Sequence, residues 1–558
     1  MSRVPTYISG QVQISQMLDI QSRLNDSQTQ VNTEKKSQDY AGIATDSFRL
    51  ISFENQSSRI ERYSANNGVA KIRLDTMQNS VNSSQASLQE YKALLLDFAA
   101  RDYNDMSQED TKALDSIRAQ SFTAMKDLQY YLNTSVDGRY LFSGGKTDVP
   151  PVEMPWGNVD EFADVYDGTN TVFPETRAAN LADVDFSART VDMTNQTVGG
   201  TSYGTIEDTS GVAADTFITG SPLTSDSFGK LLINPTIPSD STKGSIVSDQ
   251  PNAFSGLSVG MTFFLDDDNA VENTGGTAVT DRQSGIYTIT DISSDGKTMT
   301  IVPPPAGTGG TTAQIPSTAG AEIRLTAPEG ARISVKNSAG QNEDYTIHWP
   351  TNADLTTAGY DLTTDLINGK KLFVSPPFAP SSTGYGTTQN NVTISASSYY
   401  QGDTLQLTHR VDDTRTIALG INALDPAFEK AFRGLGIMAQ GVKMDSSDPT
   451  KVDAAEMRRR VDTALDLVND ALQHSTSSSE EPSDLVGLGY RLGSNQKVLQ
   501  NSIDEAASFR AFLDNRVTDM ENVNMLDAVT RMNDDAQALE VSYSAMSKIS
   551  KLSLLNYL

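Results

Sequence analysis

The sequence predicts a multidomain α+β protein. Helices from the N- and C-terminal parts form an antiparallel coiled-coil bundle, and β-rich domains are inserted in the middle. Three observations carry this reading. Across 60–98, apolar or small residues recur at spacings of three and four: Ile60, Tyr63, Asn67, Ala70, Leu74, Met77, Val81, Ser84, Leu88, Tyr91, Leu95 and Phe98. The stretch 499–558 keeps the same rhythm. Between the two, from about 150 to 420, Gly, Thr, Ser and Asp dominate and the apolar runs are short and β-type.

Residues 6–36 carry a thin heptad, with Met17, Leu24 and Val31 seven apart and polar Gln, Ser, Asn and Thr filling most other positions. So narrow an apolar face predicts a helix that is marginal on its own. Gly42 interrupts it. A second helix is expected from about Thr45 or Asp46 to the Asn/Asp cluster near 101–105, about 55 residues or ~80 Å long. Ser107-Gln-Glu-Asp110 resembles a capping box. The third helix then follows Leu114, Ile117, Ser121, Ala124, Leu128 and Tyr131, and Gly138 offers a left-handed turn residue. Arg139-Tyr-Leu-Phe-Ser-Gly-Gly145 reads as a short β-run closed by a glycine turn, and Pro150-Pro151 marks a boundary.

The middle predicts strands at Gly260-Met-Thr-Phe-Phe-Leu265, Gly285-Ile-Tyr-Thr-Ile-Thr290, Thr298-Met-Thr-Ile-Val302, Arg332-Ile-Ser-Val335, Asp344-Tyr-Thr-Ile-His348 and Asn391-Val-Thr-Ile-Ser395. This rhythm implies one or two β-domains without an internal repeat. Helices resume at Asp425-Pro426, a start signal with proline at the first helical position. One helix is expected from Ala427 to about Met444, and a second from Ser447-Asp-Pro449 to about His474. After a Ser-rich loop over 475–483, a single helix is expected from about Gly489 to the C-terminus. Its heptad positions are Leu499, Ala506, Leu513 and Met520, then Met525, Met532, Leu539 and Met546, with Val529, Ala536 and Tyr543 in a parallel series.

Hydrophobic residues make up 37% of the chain, below the roughly 45–50% of ordinary globular proteins, as expected of a slim molecule with thin cores. The net charge of −28 repels phosphate backbones and anionic bilayers, so no nucleic-acid partner and no membrane insertion are expected. No apolar run of about 18 residues exists. The opening MSRVPTYISGQVQISQ lacks the continuous apolar stretch and cleavage motif of a secretory leader. Without cysteine, disulfides, thiolate metal sites and cysteine nucleophiles are excluded.

No catalytic, cofactor or metal site is expected. His348, His409 and His474 are isolated from one another, whereas a zinc site needs paired spacing. Asp266-Asp-Asp-Asn-Ala-Val-Glu272 lacks the calcium-loop spacing and reads as an acidic turn. Gly307-Thr-Gly-Gly-Thr311 and Gly434-Leu-Gly436 lack the lysine of a phosphate cradle and read as loops. No nucleophile elbow appears.

Several segments resemble the bacterial flagellin family of axial proteins. They are Leu24-Asn-Asp-Ser-Gln28, Ser37-Gln-Asp-Tyr-Ala-Gly-Ile-Ala44, Asn66-Asn-Gly68 and Asn133-Thr-Ser-Val-Asp-Gly-Arg-Tyr-Leu-Phe-Ser-Gly144, then Tyr399-Tyr-Gln-Gly-Asp403, Asp425-Pro-Ala-Phe-Glu-Lys430 and Leu552-Ser-Leu-Leu-Asn-Tyr-Leu558. The resemblance covers roughly 1–150 and 400–558. Within the family, Gly138-Arg-Tyr-Leu-Phe-Ser-Gly144 is similar to the hook–filament junction members, while Ser37-Gln-Asp-Tyr40 departs from the double Asp of filament flagellins. Leu88-Gln-Glu-Tyr-Lys-Ala-Leu94 aligns loosely with the helix read by the innate immune flagellin receptor, but no arginine stands at Tyr91.

The resemblance implies an extracellular structural subunit of the bacterial flagellum, not an enzyme. It would join hook to filament after export, unfolded, through the flagellar type III apparatus. Implied partners are further copies of the chain, a hook-side junction protein, flagellin and an export chaperone. The expected organisation is a terminal coiled-coil assembly domain (1–41 and 520–558), a helical bundle with a short β-hairpin (42–150 and 420–519) and an inserted β-rich region (151–419). Met17, Leu24, Val31, Met532, Leu539, Tyr543 and Met546 are expected at intersubunit seams. Leu74, Met77, Val81, Leu88, Tyr91, Leu95, Leu499 and Leu513 are expected in the bundle core. Filament flagellin, or a secreted adhesin or glycan-binding protein working through its β-domains, are the alternatives.

Overall fold

The computed structural model describes residues 3–43, 46–103, 108–210, 217–219, 223–266, 271–272, 283–305, 313–315, 321–366 and 369–555. Among these, the longest helices are α1 (Arg3–Thr33), α2 (Ser47–Ala99), α3 (Gln108–Leu132), α4 (Pro426–Ala439), α5 (Ala454–Leu472), α6 (Leu485–Glu521) and α7 (Met525–Leu555). The chain divides into two compact units. The first comprises Met1–Ile72, His409–Ile417 and Gln496–Leu558; the second comprises Arg73–Thr408 and Ala418–Asn495.

In the first unit α1 packs along α7. The expected single C-terminal helix is in fact two, because 522–524 leave the helix to pair with the end of α1. Lys35 bridges Asn522 antiparallel. The Lys36 N–H donates to Glu521 O (2.6 Å), and the Val523 N–H donates to Glu34 O (2.9 Å). Asn524 then starts α7, accepting the Leu526 N–H on its side chain (3.1 Å). The signal was present in the sequence: the apolar series steps from Met520 to Met525, whereas an unbroken heptad would reach 527.

The second unit holds three structures. Its helical part joins residues 73–99 of α2, then α3, α4, α5 and the first residues of α6. Along α2 the periodic positions Leu74, Met77, Val81, Ser84, Leu88, Tyr91, Leu95 and Phe98 are all buried. Along α3 the final buried position is Leu132 and not Tyr131, which keeps the i+4 step from Leu128. The short run after α3 forms a two-strand hairpin, Ser135–Val136 against Arg139–Tyr140, turned by Asp137 and Gly138 at φ 53° and 71°.

Helix α4 starts as expected, with Asp425 capping the Ala427 N–H and proline in its first turn. It stops at Ala439, short of 444, and α5 starts at Ala454, later than 447. Between them Asp445 and Asp448 bond to Ser447 and Thr450, turning the chain into a Met444–Val452 bridge. Gly434-Leu-Gly436 is no loop. It lies within α4, where a Cβ on Gly436 would stand 2.3 Å from the Phe173 ring. Ser107, residues 267–270 of the acidic turn and 307–311 fall outside the described residues.

Among the described residues, the β-region consists of a closed six-stranded barrel and a nine-stranded sheet. The barrel runs Arg332–Lys336, Asn342–Ile347, Lys371–Ser375, Thr201–Asp208, Val184–Val198 and Thr388–Ala396. Alternate residues fill it: Ile333 and Val335, Tyr345 and Ile347, Leu372 and Val374, Val392 and Ile394. Pairing of Thr388–Ala396 with Val184–Val198 shifts register on either side of Val392, and the adjoining Asn391 sits at φ 57°.

The sheet is inserted between the barrel strands Thr201–Asp208 and Arg332–Lys336. Phe263, Leu265, Tyr287, Ile289, Met299 and Ile301 face its core. Phe264 and Ile286 project the other way, into a cluster with Val198, Phe373 and Leu355 that joins sheet to barrel. Burial on both faces explains the unbroken apolar run Phe263-Phe264-Leu265.

Candidate assembly surface

Among its described residues, few side chains are buried in the first unit. Leu50, Ala70, Val411, Leu499, Leu513 and Ala528 form its apolar interior, together with the polar Ser27, Asn67 and Ser502. Asn67 is fully buried and satisfied on all sides. Its amide donates to Val411 O (3.0 Å) and Ser502 Oγ (3.3 Å), and its carbonyl lies 2.7 Å from His409 Nε2. A buried amide at a heptad position admits only the register that satisfies it. Charged contacts on the surface add Arg23 to Asp535 (2.9 Å), Lys35 to Glu521 (2.9 Å) and Arg510 to Glu61 (3.0 Å). Exposed pairs of this kind contribute about 0–1 kcal/mol each.

The residues expected at seams are incompletely covered. Met17, Leu24, Val31, Met532, Leu539 and Met546 are half-buried, and Tyr543 is exposed. Of the residues expected in the core, Leu499 and Leu513 are buried in this unit and Leu74, Met77, Val81, Leu88, Tyr91 and Leu95 in the other. A second set of apolar residues escaped the sequence reading. Phe48 (84% exposed), Ile51, Val69 and Ile72 lie on α2 away from its buried stripe. Phe48 and Val69, like Ile51 and Ile72, are three heptads apart, and that period was the missed signal. Leu526 and Val541 on α7 are also exposed, as are Phe509 and Phe512 on α6, whose rings stack at 6.2 Å.

In the second unit the fold gathers residues singled out far apart in the sequence. The Gly145 N–H donates to Asp403 Oδ1 (2.6 Å), the Asp403 N–H donates to Ser143 O (3.1 Å), and Tyr400 OH donates to Asp403 O (2.6 Å). The Gly145 and Leu405 amides hold the Asp403 carboxyl below the usual carboxylate range. Gly144 has φ 67°, and a Cβ there would meet Asp403 O at 2.3 Å. Phe142 packs edge-on against Phe428 of α4, and the Tyr399 ring packs on Phe432. The 139–145 run, the 399–403 run and the 425–430 run therefore form one knot.

Beneath this knot lies a buried ionic network the sequence reading missed. Arg433 reaches Glu429 (3.0 Å), Glu480 (2.5 Å) and Glu175 O (2.7 Å). Lys430 reaches Asp470 (2.6 Å), Glu481 O and Ser483 O. Each cation is enclosed by acceptors, as a buried charge requires. Among the described residues no group of three His, Cys, Asp or Glu could hold a metal ion. His348, His409 and His474 contact Glu329, Asn67 and Asp470 respectively. No described helix is long and apolar enough to cross a membrane.

The family model for the bacterial flagellin C-terminal helical region matches residues 484–558. No curated protein matches the chain. Among solved structures the chain is similar to FlgL of Xanthomonas campestris, with 13% identity over 84% of this chain and 99% of that one, at TM-score 0.28. It is similar to flagellar hook-associated protein 3 of Legionella pneumophila, with 12% identity over 84% of this chain and 98% of that one, at TM-score 0.29. At these TM-scores the structural likeness carries no argument of its own. The matched segment spans α6 and α7, the helices that close the first unit. Over residues 484–558 the chain is similar to the C-terminal helical region of bacterial flagellin.

Proposed function

We propose that this protein is a structural subunit of the bacterial flagellum at the junction between hook and filament. The observation that carries the reading is a flagellin-type helix pair whose apolar positions stay partly exposed within one chain. Neighbouring subunits complete those faces, so assembly supplies the burial that a lone chain lacks. Met17, Leu24, Val31, Met532, Leu539, Tyr543 and Met546 take part in these seams. The buried α2 positions, with Leu499 and Leu513, keep each subunit intact.

The chain leaves the cell unfolded through the type III export apparatus, escorted by a chaperone. It then meets a hook-side junction protein below, flagellin above and its own copies around the ring. The Gly138-Arg-Tyr-Leu-Phe-Ser-Gly144 run, held on Asp403, favours the junction over the filament. The β-region, carrying much of the polar Thr/Ser surface, faces solvent. Deleting the gene and imaging the cells tests the proposal. Hooks without filaments, with flagellin shed into the medium, are expected; normal filaments would refute the junction role. Subunit number per cell separates this reading from filament flagellin: a junction layer needs about one turn of subunits, whereas a filament needs thousands.

A further inference from the structure

The second unit contains a cavity of about 330 Å³, which the assembly reading leaves without a role. This volume is at the small end of ligand sites. Its walls come from elements far apart in the chain: Trp156, Tyr166, Phe173 and Phe432 supply aromatic surface, and Arg332 reaches in from the barrel. Trp156 packs edge-on against Phe162 and Tyr166, with centroids at 4.9 and 5.8 Å. Its indole N–H has no protein acceptor among the described residues. The cavity is not sealed, since Glu153 and Ser397 at its edge are exposed.

The polar groups narrow the choice of ligand. Arg332 bonds Asp344 through Nη2 (2.8 Å), and its guanidinium lies 5.8 Å from the Tyr166 centroid. A cationic ligand would meet that like charge, so this is not a cage for an ammonium group. Asp344 already balances Arg332, and Glu153 adds a negative charge at the edge, so an anion gains little. Yet Arg332 Nε is buried with no hydrogen-bond partner, and filling the site with hydrocarbon would leave that donor unmet. A neutral ring with hydroxyls around its edge satisfies every wall. Its C–H groups would pack against the aromatic wall that Trp156, Tyr166, Phe173 and Phe432 supply. Its oxygens accept from Arg332 Nε and the Trp156 indole, and its hydroxyls donate to Glu153.

We propose that this cavity binds a neutral pyranose sugar, as a free monosaccharide or a terminal residue of a glycan. The inference is independent of the flagellar reading, since it concerns only the aromatic cavity of the second unit. The protein has two tryptophans, Trp156 in the cavity and Trp349 packed against Phe264 and Phe373. In full-length Trp349→Phe protein, fluorescence therefore reports Trp156 alone. Methyl glucoside, methyl galactoside and methyl N-acetylglucosaminide are titrated, with the acyclic polyol sorbitol as control.

At least one pyranoside should give a saturable change with half-saturation around millimolar, the range for so small a ligand. Saturation-transfer NMR should show contact from its ring protons. Ser397→Phe, at the exposed edge, should block entry and abolish both signals while the thermal transition is kept. Arg332→Gln should weaken binding roughly tenfold. No saturable response to any of the three sugars, an equal response to sorbitol, or a response surviving Ser397→Phe would overturn the assignment.

Discussion

The two units are stabilised in opposite ways. In the first, long helices touch along narrow seams, the apolar interior is a handful of residues, and one buried amide sets the register. In the second, a filled barrel, a sheet buried on both faces where it meets the barrel, and a fully paired ionic network leave little unfinished. Burial of an apolar side chain is worth about 1.5–3 kcal/mol. A unit with few such side chains must obtain the rest elsewhere, and half-covered heptad positions are where neighbours can supply it. The difference teaches that the unfinished faces of a unit are read from what its folded chain leaves uncovered.

The largest effect should come from breaking the completed unit. Arg433→Ala strands Glu480 and leaves Glu429 only the more distant Arg177 (3.9 Å) and the Asn180 amide, and should cost about 3–5 kcal/mol of the second unit's stability in denaturant unfolding. A cost below about 1 kcal/mol would show that the network is not integral. Gly144→Ala places a Cβ against Asp403 at a positive φ and should cost about 1–3 kcal/mol in the same assay.

In the first unit, Asn67→Ala removes the amide that donates to Val411 O and Ser502 Oγ and the carbonyl that meets His409 Nε2. A loss of about 1–3 kcal/mol is expected there, read as faster hydrogen exchange in α2 near residue 67 with residues 184–396 unchanged. Equal loosening of the β-region would contradict the separation of the two units.

Acid tests the carboxylates of the second unit. Hydrogen bonds from Arg459 and Arg460 hold the Glu456 carboxyl down at about 2. Asp470 is also held low, because Lys430, the Ser475 amide and His474 outweigh its burial. A depressed carboxylate contributes stability that is complete above its ordinary value and is lost as pH falls toward the depressed one. The second unit should therefore lose stability between about pH 5 and pH 2, and Glu456→Gln should flatten that decline. Thermal melts across the range check it.

The smallest effect on the isolated chain should come from the seam. Leu539 is half-buried, so Leu539→Asp should change monomer stability by less than about 1 kcal/mol. In an assembled seam the same carboxylate would be buried at a cost of several kcal/mol, and motility should be lost. Normal swimming by that variant would mean the seam is not used. Limited proteolysis of the wild-type monomer should cut first within residues up to about 40 and after about 520, with the interior resisting.

The apolar periods of α2, the Asp425-Pro426 helix start and six strands of the β-region were legible from residue order, because each is a local pattern repeated at 3.6 or 2 residues. The heptad series on α6 and α7 was legible too. The break at 522–524 was only half legible. A phase step marked it, but the reason is the pairing with Lys35 from the other end of the chain. Gly434 and Gly436 looked like loop residues because composition does not say that Phe173 must lie against a helix.

What the one-dimensional string determined by itself is the set of local conformations and the polarity of each face, since propensity and periodicity act between near neighbours. Tertiary structure alone decided which charges could be buried, that 139–145 would close on Asp403, that the barrel would carry a sheet inserted between two of its strands, and that four aromatic rings would enclose a cavity. Those outcomes depend on contacts between residues hundreds of positions apart, and no local interaction encodes them.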